Sequence, residues 1–256
     1  MNSMTPELNQ DNPGNGFVDV VDEGRLRYVT ICRESRANAL SVAMLGSLAD
    51  AIASAGRVSA IDAIVLRSTG VNFCAGADMG ELRTHRRQQY DALRTLIAAL
   101  DKRAVPLLCV MQGRALGAGC VLSALADVVI ASDEATQGFP EMRFGMYPSL
   151  VHAVLVQKLP EPLVYALCVG ARVLSAHDAW SLGLVTEVLP ADDFTKCARD
   201  RVEFYVARTA AVRYGREMMD QSAREMLLAR VAKAEHIIDR NLADPEVEAM
   251  LSSYRK

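Results

Sequence analysis

Apolar and polar positions along this chain follow two periods. Short runs rich in β-branched residues and leucine, Phe17–Val21, Leu26–Cys32, Ile61–Arg67, Val105–Met111 and Asp127–Ala131, have the length and composition of strands. The first two flank Asp22-Glu23-Gly24, a hairpin signal. The longer stretches between and after them repeat their apolar positions every three to four residues. This spacing predicts helices from Ser41 to about Ala55, from Asp78 to Leu100 and from Leu116 to Leu125. From Pro160 onward the pattern is almost wholly helical, with segments at Leu163–Cys168, Ser175–Leu182, Asp193–Ala207, Ala210–Ser222 and Ala223 to about Leu242. Ser175 followed by Asp178 has the spacing of a capping box. Strands alternating with helices predict an α/β fold with a mostly parallel sheet buried on both faces, followed by a helical C-terminal region. The division is a loose polar tail over residues 1–16, a core over 17–190 and a helical region over 191–256.

Composition narrows the class without naming it. The chain has 256 residues, 51% of them hydrophobic, enough for one sizeable core. Its formal net charge of −3 makes no electrostatic case for a nucleic-acid partner. The six cysteines, Cys32, Cys74, Cys109, Cys120, Cys168 and Cys197, are scattered, without a Cys-x-x-Cys pair or a histidine at metal-ligand spacing, so they read as reduced hydrophobes rather than a metal site. Residues 1–16 lack the basic and apolar regions of a secretory signal, and no run reaches membrane-spanning length, so a cytoplasmic, membrane-free protein is the expectation.

The chemistry is signalled by two glycine-rich turns, Phe73-Cys74-Ala75-Gly76-Ala77-Asp78 and Gly113-Arg114-Ala115-Leu116-Gly117-Ala118-Gly119-Cys120, each set between a strand-like and a helix-like run. Backbone N–H groups at a helix start have no partner within the helix and sit at the positive end of its dipole. Two such turns can aim two N–H groups at one oxygen on which negative charge develops. Either turn alone reads as structural, since phosphate loops, tight packing and ordinary β-α turns use the same residues.

These turns, with Ala126-Asp127, Gln137-Gly138-Phe139-Pro140-Glu141 and the stretch from Leu174-Ser175-Ala176 to Gly183-Leu184-Val185, resemble in order and spacing the crotonase (enoyl-CoA hydratase/isomerase) superfamily over roughly residues 17–250. The resemblance implies a spiral of ββα units with a helical C-terminal region, assembly as trimers or hexamers, and action on acyl thioesters of coenzyme A or of an acyl carrier protein. No separate cofactor is implied, since coenzyme A or phosphopantetheine belongs to the substrate. It implies further that the thioester oxygen is held by the N–H groups of Ala77 and Ala118. The segments around Arg36, Ala37, Ala75, Asp78 and Met79 would border the substrate's nucleotide end. Arg36 is also readable as a solvated loop residue, and Asp78 as a helix cap.

In the hydratases of that family two glutamates flank the substrate, and their positions fall here on Val121 and Glu141. A carboxyl in an apolar pocket has its pKa raised, which suits Glu141 to take and return a proton near neutral pH. A single glutamate resembles the enoyl-CoA isomerase branch. The Phe144-Gly145-Met146-Tyr147-Pro148 continuation is instead similar to the dehydratases of polyketide β-branching, which act on a carrier-bound 3-hydroxy-3-methylglutaryl group. Isomerisation, hydration or dehydration, and a catalytically weakened acyl-CoA-binding scaffold all remain open at this point. Tyr147 is readable as a proton donor, a substrate contact or a packed turn aromatic, and His152 as a structural histidine. His85 falls in a charged segment, and His236 and Arg143 are candidates for reaching an anionic group.

Overall fold

The computed structural model describes residues 16–58, 60–218 and 221–253; the predicted tail, apart from Gly16, lies outside the described residues. Strands β1 (Phe17–Glu23) and β2 (Leu26–Cys32) form the predicted hairpin, pairing antiparallel from Phe17 with Cys32 to Glu23 with Leu26. Helix α1 (Val42–Ala55) follows, then β3 (Ala63–Ser68), α2 (Met79–Thr84), α3 (Arg86–Lys102) and β4 (Leu107–Met111). Next come β5 (Arg114–Leu116), α4 (Ala118–Ala124), β6 (Val128–Ser132), β7 (Thr136–Gly138), α5 (Ser149–Leu155) and α6 (Glu161–Val169). The chain continues through β8 (Val173–Ser175), α7 (Ala176–Ser181), β9 (Glu187–Leu189), α8 (Phe194–Val206), α9 (Thr209–Glu217), α10 (Gln221–Leu242) and α11 (Pro245–Ser253).

Two sheets organise these elements. The larger runs in the order β1-β2-β3-β4-β6-β9 and is parallel from β2 onward; the smaller runs β5-β7-β8. The alternation of side chains along β3 shows why the large sheet needs cover on both faces. Ile64 and Leu66 enter the main core with Met44, Leu48 and Leu96, whereas Ala63 and Val65 face a second cluster closed by Phe194, Ala198 and Val202 of α8. Each fully buried leucine or isoleucine here contributes roughly 1.5–3 kcal/mol relative to exposure.

The capping signals operate as read. Ser41 accepts a bond from Met44 N–H at 3.2 Å, and Ser175 and Asp178 bond each other's backbone N–H groups, completing the box at the start of α7. The predicted helix over 78–100 is two helices instead. The chain leaves helical geometry at His85 (φ −129°, ψ 34°), where the Thr84 hydroxyl bonds both Gly80 O and His85 Nδ1 and so competes with the backbone. The helix predicted from Leu116 starts at Ala118, because Leu116 belongs to β5 and Gly117 carries a non-helical turn. Strands β5, β7, β8 and β9 have three residues each, too short to display a period, and the sequence pattern did not reveal them. In the C-terminal region the helix predicted over 210–222 runs from Thr209 to Glu217, and α11 is additional. No helix among the described residues is long and apolar enough to cross a membrane.

Candidate active site

Three isolated or short parallel pairings knit the two glycine-rich turns together. Ala115 and Leu116 in β5 pair with Gln137 and Gly138 of β7, Cys74 bridges to Ala115, and Ala77 bridges to Leu40. In a parallel bridge the bonds run from the neighbours of one residue to the other, here Leu40 N–H to Gly76 O (2.8 Å) and Asp78 N–H to Leu40 O (2.9 Å). Ala77's own N–H is therefore directed away from Leu40. Ala118 is the first residue of α4, so its N–H has no acceptor within the helix. Neither N–H donates to another backbone group among the described residues.

Glycine is what lets these two amides meet. Gly76 has φ +99°, and a Cβ there would stand 3.0 Å from Leu116 O and 3.6 Å from Ala118 N, filling the gap between the turns. Gly117 has φ +50° and ψ −111°, a conformation costly for any residue with a side chain. A Cβ on Gly117 would stand 2.7 Å from Glu141 Oε1. The bare backbone of Gly117 thus seats the Glu141 carboxyl beside the residue whose neighbour offers the Ala118 N–H.

Glu141 lies in a short 3₁₀ turn, Pro140–Phe144, that follows the small sheet. The residue as a whole is half-buried, yet its Oε2 atom is buried without a hydrogen-bond partner. Burial pushes the carboxyl up to about 7, partly offset by a bond from its own backbone N–H. A carboxyl poised near neutrality, with Oε2 free of partners and seated against Gly117 beside the Ala118 N–H, can remove and return a proton while the N–H donors hold a developing oxyanion. Val121 is buried in α4 one turn beyond Gly117, to whose carbonyl it donates at 3.2 Å, and places no charge on that helix face.

The segment containing Arg36 and Ala37 runs alongside the first turn, with Ala75 N–H donating to Ala37 O at 2.9 Å. Arg36 is exposed on its own 3₁₀ turn, and Ala75 and Met79 are half-buried. Asp78 is taken up by the backbone. It caps α2 by accepting from Gly80 and Glu81 N–H groups at 2.8 and 3.1 Å, and it pairs with Arg33 at 2.6 Å. Burial works against its ionised form, but the Glu81 N–H, Arg33 and Gly80 bonds prevail and hold its pKa below the usual carboxylate range. His85, Arg143 and His236 are exposed.

Tyr147 begins a different polar cluster. Its hydroxyl lies 2.7 Å from His152 Nδ1, and His152 Nε2 stands 3.5 Å from Glu161 Oε1. Its backbone N–H donates to Asn241 Oδ1 at 3.0 Å, so α10 holds the loop that carries both Glu141 and Tyr147. Burial, joined by the charge of Glu141, pushes the Cys168 thiol up to about 12. Sequence reading leaves His152 as structural and does not single out Cys168 or Asn241; nothing local in the chain marks them. It also passes over Arg33, whose buried guanidinium is clamped between Asp78 and Ala39 O, in favour of the exposed Arg36.

Comparisons with known proteins give the chain's family and fold. The chain matches the family model described as enoyl-CoA hydratase/isomerase over residues 22–253. It is 31% identical over 171 residues to the 2,3-dehydroadipyl-CoA hydratase of Escherichia coli (strain K12), a match covering 66% of this chain and 67% of that protein. It is 27% identical over 172 residues to the mitochondrial enoyl-CoA hydratase domain-containing protein 3 of Mus musculus, covering 65% of this chain and 57% of that one. Among solved structures, the enoyl-CoA hydratase from Bacillus halodurans superposes with a TM-score of 0.83 at 18% identity, covering 92% of this chain and 99% of its own, and so shares the fold.

Proposed function

This chain belongs to the enoyl-CoA hydratase/isomerase family, and from that premise we propose that it binds an acyl thioester of coenzyme A or of an acyl carrier, with the thioester oxygen between Ala77 N–H and Ala118 N–H and the α-carbon beneath Glu141. The observation that carries this reading is the Glu141 carboxyl, 2.7 Å from the place of a Gly117 Cβ and raised to about 7. Glu141 in its ionised form removes the α-proton. The electron pair delocalises onto the thioester oxygen, where the two amides stabilise it without reorganising. Removing one such donor in an enzyme typically costs about 10²–10³ in rate.

The enolate then has two outcomes. Returning the proton at the γ-carbon of an unsaturated chain moves a double bond, a task for which one carboxyl suffices. Expelling a β-hydroxyl makes a dehydratase; a hydratase runs that sequence in reverse, water adding at the β-carbon of a 2-enoyl thioester to give the enolate, which Glu141 then protonates at the α-carbon. All of them pass through the same enolate and the same Glu141 proton transfer.

Incubation with a 2-enoyl-CoA, a 3-enoyl-CoA and a saturated acyl-CoA in deuterated water, followed by NMR, reads that step as deuterium entering the α-carbon. Glu141→Gln is expected to abolish exchange while acyl-CoA binding persists. Exchange at the native rate in that variant would overturn the assignment of Glu141 as the base.

A further inference from the structure

The Ala77 N–H hangs on a support one residue long. The Gly76 carbonyl and the Ala77 N–H belong to one planar peptide and point in opposite directions, so the bond from Leu40 N–H to Gly76 O at 2.8 Å aims the Ala77 N–H as well. The Leu40–Ala77 pairing is an isolated bridge, outside any strand whose neighbours would keep its register. Leu40, fully buried, is held from a second direction. Its carbonyl accepts from Asp78 N–H at 2.9 Å and from Gln89 Nε2 at 2.8 Å, which occupies both lone pairs. Gln89 stands in the first turn of α3, 49 positions from Leu40, and is completely buried. The helix that carries it is fixed, because Leu93, Leu96 and Ile97 pack into the same core as Leu45 and Leu48 of α1. The other end of the amide is unsatisfied: Gln89 Oε1 is buried without a hydrogen-bond partner. Turning the amide over would set Oε1 against Leu40 O, acceptor against acceptor, so the Nε2 contact fixes its orientation. An apolar side chain of similar volume would fill the space without an unpartnered oxygen. What glutamine adds at this position is the one bond to Leu40.

We infer that Gln89 is a positioning residue for the oxyanion hole: by holding the Leu40 carbonyl it fixes the Leu40–Ala77 bridge, and through the Gly76–Ala77 peptide it fixes the direction of the Ala77 N–H. The inference rests on the reading that this N–H receives the thioester oxygen. Gln89 acts through Leu40 and not on the substrate. The neighbouring ties secure the flanks of the bridge: Arg33 bonds Ala39 O at 2.9 Å and pairs with Asp78, while the Asn38 amide bonds Thr69 O and Asn72 O. Gln89 Nε2 bonds the bridge residue itself, and from a different helix. A donor held in place stabilises the enolate oxygen without reorganising as the charge appears. Loosening its support therefore acts on the charged transition state more than on the bound thioester, whose carbonyl carries less charge.

Butyryl-CoA carrying ¹³C at the thioester carbonyl tests this, since it has no double bond to move and no β-oxygen to lose. Hydrogen bonds to the carbonyl oxygen move the bound ¹³C resonance downfield of the free one, α-proton exchange in deuterated water reads the rate, and the titration reads affinity. Gln89→Leu is expected to shrink the downfield displacement by half or more and to slow exchange by about 10–10²-fold, with affinity within about threefold of native. Gln89→Met, unbranched like glutamine and without a donor, carries the test should the leucine variant fail to fold. A glutamine that only supports the fold would leave the displacement and the exchange rate of the folded variants at their native values, and that result overturns the inference. Glu141→Gln serves as the reference, expected to keep the displacement and lose the exchange. A native protein whose bound carbonyl shows no downfield displacement overturns the oxyanion-hole reading and this inference with it. A native displacement that both Gln89 variants retain leaves that reading intact and removes only the role of Gln89.

Discussion

Replacing Glu141 by glutamine keeps the side chain's shape and removes its titration, so the stability difference between the two proteins isolates the cost of ionising this carboxyl where it sits. The folded carboxyl titrates at about 7 against 4.5 in the unfolded chain. Because the folded value is raised, its contribution is fully present below pH 4.5 and is lost as pH rises toward and through 7. At about 1.36 kcal/mol per pH unit the full loss is about 3 kcal/mol, of which about 2.5 kcal/mol falls between about pH 5 and pH 8. The buried amide that glutamine would put in place of the carboxyl adds its own penalty, since Oε2 has no partner at present, but that penalty does not change with pH. Urea unfolding of both proteins at about pH 5, 6, 7 and 8 gives the difference directly, and every other titrating group cancels in it. The native protein should lose about 2.5 kcal/mol relative to Glu141→Gln over that range, while its α-proton exchange rises toward a plateau above about pH 7 as the base ionises. A difference that stays flat within about 0.5 kcal/mol would refute the desolvation on which the role of Glu141 depends.

Gly117→Ala places a Cβ 2.7 Å from Glu141 Oε1 and forces a side chain onto φ +50°, ψ −111°; we expect about 1–3 kcal/mol of lost stability and a far larger proportional loss of α-exchange, with native exchange as the refuting result. Asn38→Ala removes the acceptor of Arg33 N–H (2.7 Å) and the donors to Thr69 O and Asn72 O (2.8 and 2.7 Å) at a buried position with φ +59°. Urea unfolding should show a loss of about 2–4 kcal/mol, and one under about 0.5 kcal/mol would contradict this role for Asn38 as a brace between the Arg33 and Thr69 segments.

Legibility in the sequence followed the range over which each feature is determined. The strands β2, β3, β4 and β6, the caps at Ser41 and Ser175 and the two glycine-rich turns depend on residues within a few positions of one another, and their patterns stand in the chain. The break at His85 and the three-residue strands of the small sheet do not, because neither a hydroxyl's choice of partner nor a three-residue pairing leaves a period. Asp78 was readable both as a cap and as a substrate contact; the buried Arg33, distant in sequence but adjacent in space, draws its carboxylate into the backbone.

Taken alone, the chain dictates the α/β alternation and the places where the backbone must turn without a side chain. Local conformational preference and hydrophobic period are properties of neighbouring residues, so they survive without the fold. It takes the folded arrangement to leave the Ala77 and Ala118 N–H groups unpaired beside each other, to strip Glu141 Oε2 of partners, and to bring Tyr147 to His152 and Asn241. Those facts depend on the register of Leu40 against Ala77 and of Cys74 against Ala115, and on α10 returning to the loop 94 positions earlier. Desolvation and convergence of donors are properties of segments distant in sequence, and they arise only when the chain closes on itself.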